Sequence, residues 1–115
     1  MKTQFGETLA ALVRQRGVSG SMVVSEADGI IVDANVAIGV DGPVFAALAA
    51  SLYRKARLAS EAAGLGRAAF LQLEAERGRV CAVGRSDLVL VTIAESRANV
   101  GLIRVAMLKA LEALG

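Results

Sequence analysis

Glu74 and Glu76 stand two residues apart in an extended apolar segment, so both carboxylates fall on one strand face. That is the chain's nearest approach to a paired-carboxylate acid–base site. The pair abuts the turn Arg77-Gly78, where solvated charge is the ordinary role of such residues. Asp28 and Asp87 belong to turns, and Asp33 lies in a strand where it is expected to point to solvent. Ser19, Ser21 and Ser25 would need a base to take their protons before acting as nucleophiles, and the chain contains no histidine. The same absence removes Ser-His-Asp and Cys-His arrangements and the commonest metal ligand. No Cys/Asp/Glu cluster has metal-ligand spacing. Cys81, in Val80-Cys81-Ala82-Val83, reads as a small buried hydrophobe rather than a reactive thiol. Phosphate binding fares no better. A Walker A loop needs Gly-Lys-Ser or Gly-Lys-Thr, and neither occurs. Gly39-Val40-Asp41-Gly42 precedes a helix whose N-terminus could hold an anion, but Asp41 would repel it. Gly64-Leu65-Gly66 follows a helix and precedes a strand, the reverse of the dinucleotide-binding order. The expectation is a protein with no catalytic residue, no metal and no cofactor.

Composition narrows the classes further. A chain of 115 residues is one domain, 1–115. At 55% hydrophobic it cannot be disordered, and at 3% aromatic it lacks the platforms on which single-stranded bases stack. The net charge is +2 with the cations scattered, so no nucleic-acid partner is expected. The N-terminal Met1–Glu7 lacks the apolar core of a signal peptide, and no apolar run reaches the ~20 residues of a membrane span. One cysteine excludes an internal disulfide and fits a reducing cytoplasm.

The elements that must position these residues follow from periodicity and caps. Phe5, Leu9, Leu12 and Val13 predict a helix over Thr3–Gln15 with Thr3 as its cap. Val18–Ser25 and Ile30–Val36 are strands joined through Glu26-Ala27-Asp28-Gly29. Asp41-Gly42-Pro43 opens a helix that runs to about Ala63. Strands follow at Arg67–Glu76, Arg79–Gly84 and Leu88–Glu95, and Asn99 caps a last helix through Leu114. Short connections make strand neighbours antiparallel. Leu88–Ala94 and Val80–Val83 are apolar on both alternating faces, so the sheet must be covered on both sides. The predicted fold is an α/β (α+β) sandwich. A five-stranded antiparallel sheet carries two helices on one face and one on the other.

The middle helix has two distinct faces. Val44, Phe45, Leu48, Leu52, Ala56 and Ala59 form one stripe, expected to lie on the sheet. The opposite side reads Ala46, Ala49, Ala50, Tyr53, Arg54, Arg57, Ser60 and Glu61. That side has two explanations: alanine serving simply as the best helix former, or a flat partner surface where Ala46 and Ala50 let another backbone approach.

The ordered set of elements resembles the Roadblock/dynein light chain family, including the bacterial MglB-type regulators of Ras-like GTPases. The resemblance rests on Gly17-Val18-Ser19-Gly20, Asp28-Gly29-Ile30-Ile31-Val32 and Gly78-Arg79. It rests also on Leu88-Val89-Leu90 and on Ala98-Asn99-Val100-Gly101-Leu102-Ile103-Arg104. It implies a homodimer that joins its sheets through the strand after the middle helix, 67–76, and lays the two middle helices, 43–63, together. By that implication Ala46, Ala49, Ala50, Tyr53, Arg54 and Arg57 on the helix, with Phe70 and Gln72 on the strand, form the dimer and partner surface. It implies a small Ras-like GTPase as partner, bound through the middle helices and stimulated without an arginine finger. Some gliding-type members carry longer tails, whereas this sequence ends at Gly115. The family also contains structural adaptors with no nucleotide dependence, and similar sandwiches can open a small-molecule cavity between helix and sheet.

Overall fold

Turn chemistry starts the sheet. In the computed structural model, which describes residues 4–114, the Asp28 carboxylate accepts from the Ile30 amide at 3.0 Å. Gly29 takes the positive φ of +73° that this turn demands. The hairpin so formed pairs β1 (Val18–Ser25) with β2 (Ile31–Val36), with a bulge between Val23 and Val24. After α2 (Gly42–Ala62) the chain makes a meander of β3 (Leu71–Ala75), β4 (Gly78–Arg85) and β5 (Leu88–Ala94). Every pairing is antiparallel, and β5 joins the meander to β1, which gives the order β2-β1-β5-β4-β3. The edges are therefore β2 and β3.

Strand period divides the core into two layers. Val23, Cys81, Val83 and Leu90 point to one face, where α1 (Gly6–Val13), α3 (Val100–Ala110) and the 3-10 turn Leu111–Leu114 cover them. Met22, Val24, Ala82, Val89 and Val91 point to the other face, beneath α2. The doubly covered, five-stranded sheet expected from the apolar runs is the one observed. The Asp41 carboxylate accepts from Val44 N–H at 3.3 Å with Pro43 in the first turn, and Asn99 accepts from Leu102 N–H at 3.1 Å. Both caps stand where side-chain chemistry placed them. The Thr3 cap lies outside the described residues.

Boundaries moved where long-range contacts compete with local pattern. The first helix spans Gly6–Val13 rather than the longer predicted range, and the last changes from α to 3-10 at Leu111. Ladder pairing on β3 begins at Leu71, not Arg67. Upstream, side chains make the contacts instead. Arg67 donates to the Gly84 carbonyl at 2.9 Å, and the Tyr53 hydroxyl donates to the Ala68 carbonyl at 3.4 Å.

The edge at β2 has one notable device. The Ala37 amide donates inward to Ser19 O at 2.9 Å, and amide directions alternate along a strand. The Ala34 amide, an odd number of residues away, therefore points outward from the sheet. There the carboxylate of Asp33 accepts from it at 2.9 Å. Among the described residues no helix is long and apolar enough to cross a membrane.

Candidate functional site

The middle helix lies on the sheet by its small residues. Ala46 and Ala49 are fully buried, Ala50 is 2% exposed and Tyr53 1%. These four were expected on a partner surface and are instead core, packed with Met22, Val24, Val89 and Val91. The stripe expected to face the sheet is the outer one. Val44 is 58% and Leu48 37% exposed, Phe45 and Leu52 are half-buried, and Ala59 is exposed. The physical reason is distance. An alanine seam lets the helix sit close over strands already filled with Val and Met, where a seam of leucine would stand it off. Tyr53 is the one large side chain in the seam, and it lies over Gly84. A Cβ at Gly84 would overlap the Cε2, Cζ and hydroxyl oxygen of that ring, so only glycine leaves the room.

The displaced large side chains border a groove. It occupies about 440 Å³ between the first half of α2 and the adjoining ends of β3 and β4. Phe45, Leu48, Leu73, Val80 and Ile93 line it, with Arg77, Arg79 and Glu95 among its charged residues. Leu71 and Leu73 share this face of β3, and the strand's outer edge beside them has no partner among the described residues. An exposed apolar helix stripe thus lies beside an open strand edge, the two surfaces water covers least well.

The remaining predicted site residues fall elsewhere. Phe70 packs against the core beneath α1 and α3, and the Arg104 guanidinium stands 5.0 Å from its ring centroid. It is thus on the wrong layer for contact with a partner's α2. Gln72 is exposed on β3, on the face opposite Leu71 and Leu73. Arg54 Nη1 donates to the carbonyls of Glu26 and Ala27 at 3.0 and 3.2 Å. Arg57 Nη2 reaches Glu26 Oε1 at 2.6 Å, with Glu61 at 3.7 Å. Hydrogen bonding to the Glu26 carboxylate holds the Arg57 guanidinium above its ordinary value. These two arginines clamp the β1–β2 turn to α2, and neither lines the groove.

The family model of the Roadblock/LC7 domain matches residues 4–94. This chain belongs to the Roadblock/LC7 family. An uncharacterized protein of Methanocaldococcus jannaschii is 30% identical over 110 residues, which is 96% of this chain and 92% of that one. The Roadblock/LC7 domain from Streptomyces avermitilis superposes with a TM-score of 0.84 at 19% identity, covering 94% of this chain and 92% of its own. The gliding protein MglB of Thermus thermophilus gives 0.83 at 18% identity, covering 96% and 85%. At those identities the two solved structures speak for the fold.

Within the Roadblock/LC7 sandwich, three groups that could do chemistry have structural partners. Glu74 pairs with Arg79 at 3.2 Å, Asp41 is a helix cap, and Ser21 donates to the Val91 carbonyl at 3.0 Å. Among the described residues no group of His, Cys, Asp or Glu could hold a metal ion. Cys81 is fully buried, and burial pushes its thiol up to about 11. At neutral pH it is a protonated thiol, not a nucleophile. Iodoacetamide at pH 7.5 is expected to leave the native protein unlabelled and to label it fully in denaturant, as intact mass would show. A folded-state value raised above 9.0 favours the native state while the thiol is protonated. Cys81's stabilising share is therefore intact below pH 9 and is lost as pH rises towards 11. Cys81→Ala is expected to flatten that part of the alkaline stability profile, read from urea midpoints at pH 8 to 11.

Proposed function

We propose that this Roadblock/LC7 protein is a non-catalytic homodimer that binds a small Ras-like GTPase and modulates its GTP hydrolysis or nucleotide state. The observation that carries the reading is the apolar outer stripe of α2 beside the open edge of β3. Two copies related by a two-fold axis would pair β3 with β3 and cover each other's Val44, Leu48, Leu52 and Leu73. The contact would be isologous, because the same strip meets itself. The dimer then presents a composite surface of paired α2 helices, which needs no catalytic side chain of its own to reorganise a bound GTPase. The fold likeness to MglB and the family resemblance support this use of the surface. The interface proposed is not the Ala46/Ala50 face that sequence periodicity suggested. It is the neighbouring stripe of larger residues.

Leu48 separates folding from association. Its side chain is already partly in water, so Leu48→Arg is expected to keep a cooperative unfolding transition and to convert the dimer to a monomer. Light scattering coupled to size exclusion reads the mass. A Leu48→Arg protein that remains dimeric places the interface elsewhere. The GTPase arm is tested by affinity capture from source-cell lysate in parallel with a non-hydrolysable GTP analogue and with GDP. A Ras-like GTPase retained only with the analogue, and lost with Leu48→Arg, is the expected result. Capture indifferent to nucleotide would replace the regulator by a structural adaptor.

A further inference from the structure

The opposite face of the sheet carries a second recess. One cavity of about 370 Å³ lies between α1 and the far end of α3, and a second of about 510 Å³ lies between the 15–17 and 95–99 loops and the start of α3; the two meet at Gln15. Together they make one valley from Thr8 and Ala113 at one end to Arg16 and Asn99 at the other. Leu12 and Ile103, both buried, close its floor. Ala11, Ala106 and Ala110 supply small stretches of its walls, between the longer Gln15 and Lys109. Leu102 lines the valley while 60% exposed, and Val105 stands beside it on the outer crest of α3, also in water.

Charge along the valley is one-sided. Arg16, Arg97 and Lys109 line it against a single carboxylate, Glu95. None of the three cations has an ion pair among the described residues.

We propose that this valley docks an acidic amphipathic helix of a partner protein. A trough between two helices accepts the ridge of a third. The 8 and 11 residues of α1 and α3 give a length of roughly 12 to 16 Å, or two to three turns of the incoming helix. Apolar side chains on that helix would contact Leu102 and the alanine walls, and flanking carboxylates would meet Arg16, Arg97 and Lys109. A lipid surface is too flat to enter the trough, and no aromatic ring lines it for a base to stack on. The site lies across the sheet from the α2 groove, so the proposal is independent of the dimer and GTPase reading.

The probe is a synthetic 18-residue helix with leucines on one face and glutamates on its flanks, fluorescein-labelled, beside a version with lysine flanks. The glutamate peptide is expected to bind saturably in anisotropy titrations, more weakly as salt rises. Its amide shift changes should be confined to α1, α3 and the 95–99 loop. The triple variant Arg16→Glu, Arg97→Glu, Lys109→Glu should bind it at least ~10-fold more weakly and prefer the lysine peptide. Leu102→Asp, a single exposed change, should weaken it as well and carries the test should the triple variant fold poorly. Absence of saturable binding overturns the proposal. So do shifts mapping to the α2 groove, or affinity unmoved by Leu102→Asp. Tight binding of single-stranded RNA or phosphatidylserine vesicles at these residues without binding of the glutamate peptide would also overturn it.

Discussion

Ala50→Arg is expected to abolish cooperative folding. The methyl of Ala50 lies in the seam between α2 and the sheet, at 2% exposure. The Val, Met and Ala side chains packed around it offer a guanidinium no charge partner. An unpaired buried charge costs about 3–5 kcal/mol. Forcing its long stem into a packed seam adds about 1–3 kcal/mol. Their sum rivals the ~5–15 kcal/mol that holds a whole domain together. Circular dichroism during urea titration should show no two-state transition, or one displaced close to zero denaturant. Leu48→Arg, two residues earlier but on the outer stripe, is the matched control and should unfold at nearly the parental midpoint when both are compared as monomers. If Ala50→Arg folds normally and only changes oligomeric mass, the small-residue face is the partner surface after all and the orientation of α2 is wrong.

Gly84→Val should produce the second-largest loss. Valine suits a strand, so local propensity would welcome the change. The tertiary structure does not, because the new Cβ enters the space of the Tyr53 ring. That ring is 1% exposed and packed in the core beneath α2, so admitting the Cβ requires it to move. An overpacked core position of this kind costs about 3 kcal/mol, or roughly 12 °C in melting temperature for a domain of this size. Removing the obstruction tests the cause. Tyr53→Ala alone leaves a cavity, but in the Gly84→Val background part of that space is filled. The double variant should therefore be less destabilised than the sum of the singles, with a coupling of about 1–3 kcal/mol. Strict additivity would mean that the ring and the missing Cβ do not interact.

Much of the fold was legible because its signals are local. The Asp28-Gly29 turn closes through bonds spanning two to five residues. Asp41 and Asn99 cap helices with amides three residues on. The two-sided apolar runs of β4 and β5 required cover on both faces, and both faces are covered. The roll of α2 about its axis was not legible. A periodic stripe of Val, Phe and Leu outweighs a stripe of Ala when apolar size alone is counted. What decides the roll is how near the helix can come to the sheet. That depends on Gly84 beneath Tyr53, partners 31 residues apart that no local pattern joins. The small-residue side of α2, expected as a partner surface, is therefore core, and the larger residues face outward. Phe70 fails for a related reason. It precedes the ladder of β3, and its ring is drawn to the α3 layer by Arg104.

The plugged amide at Ala34 bears on how far an assembly of such chains can extend. A sheet has two ends, and a chain able to add at both is a monomer for polymerisation. Here β3 has no strand partner on its outer edge among the described residues, while along β2 the Asp33 carboxylate already occupies one outward donor. A strand arriving at β2 would have to displace that contact and desolvate the carboxylate. Growth through β3 leaves only β2 borders outside, and those resist further addition. On the proposed pairing through β3, that one short side chain would act as a chain terminator, favouring a closed pair over a fibre.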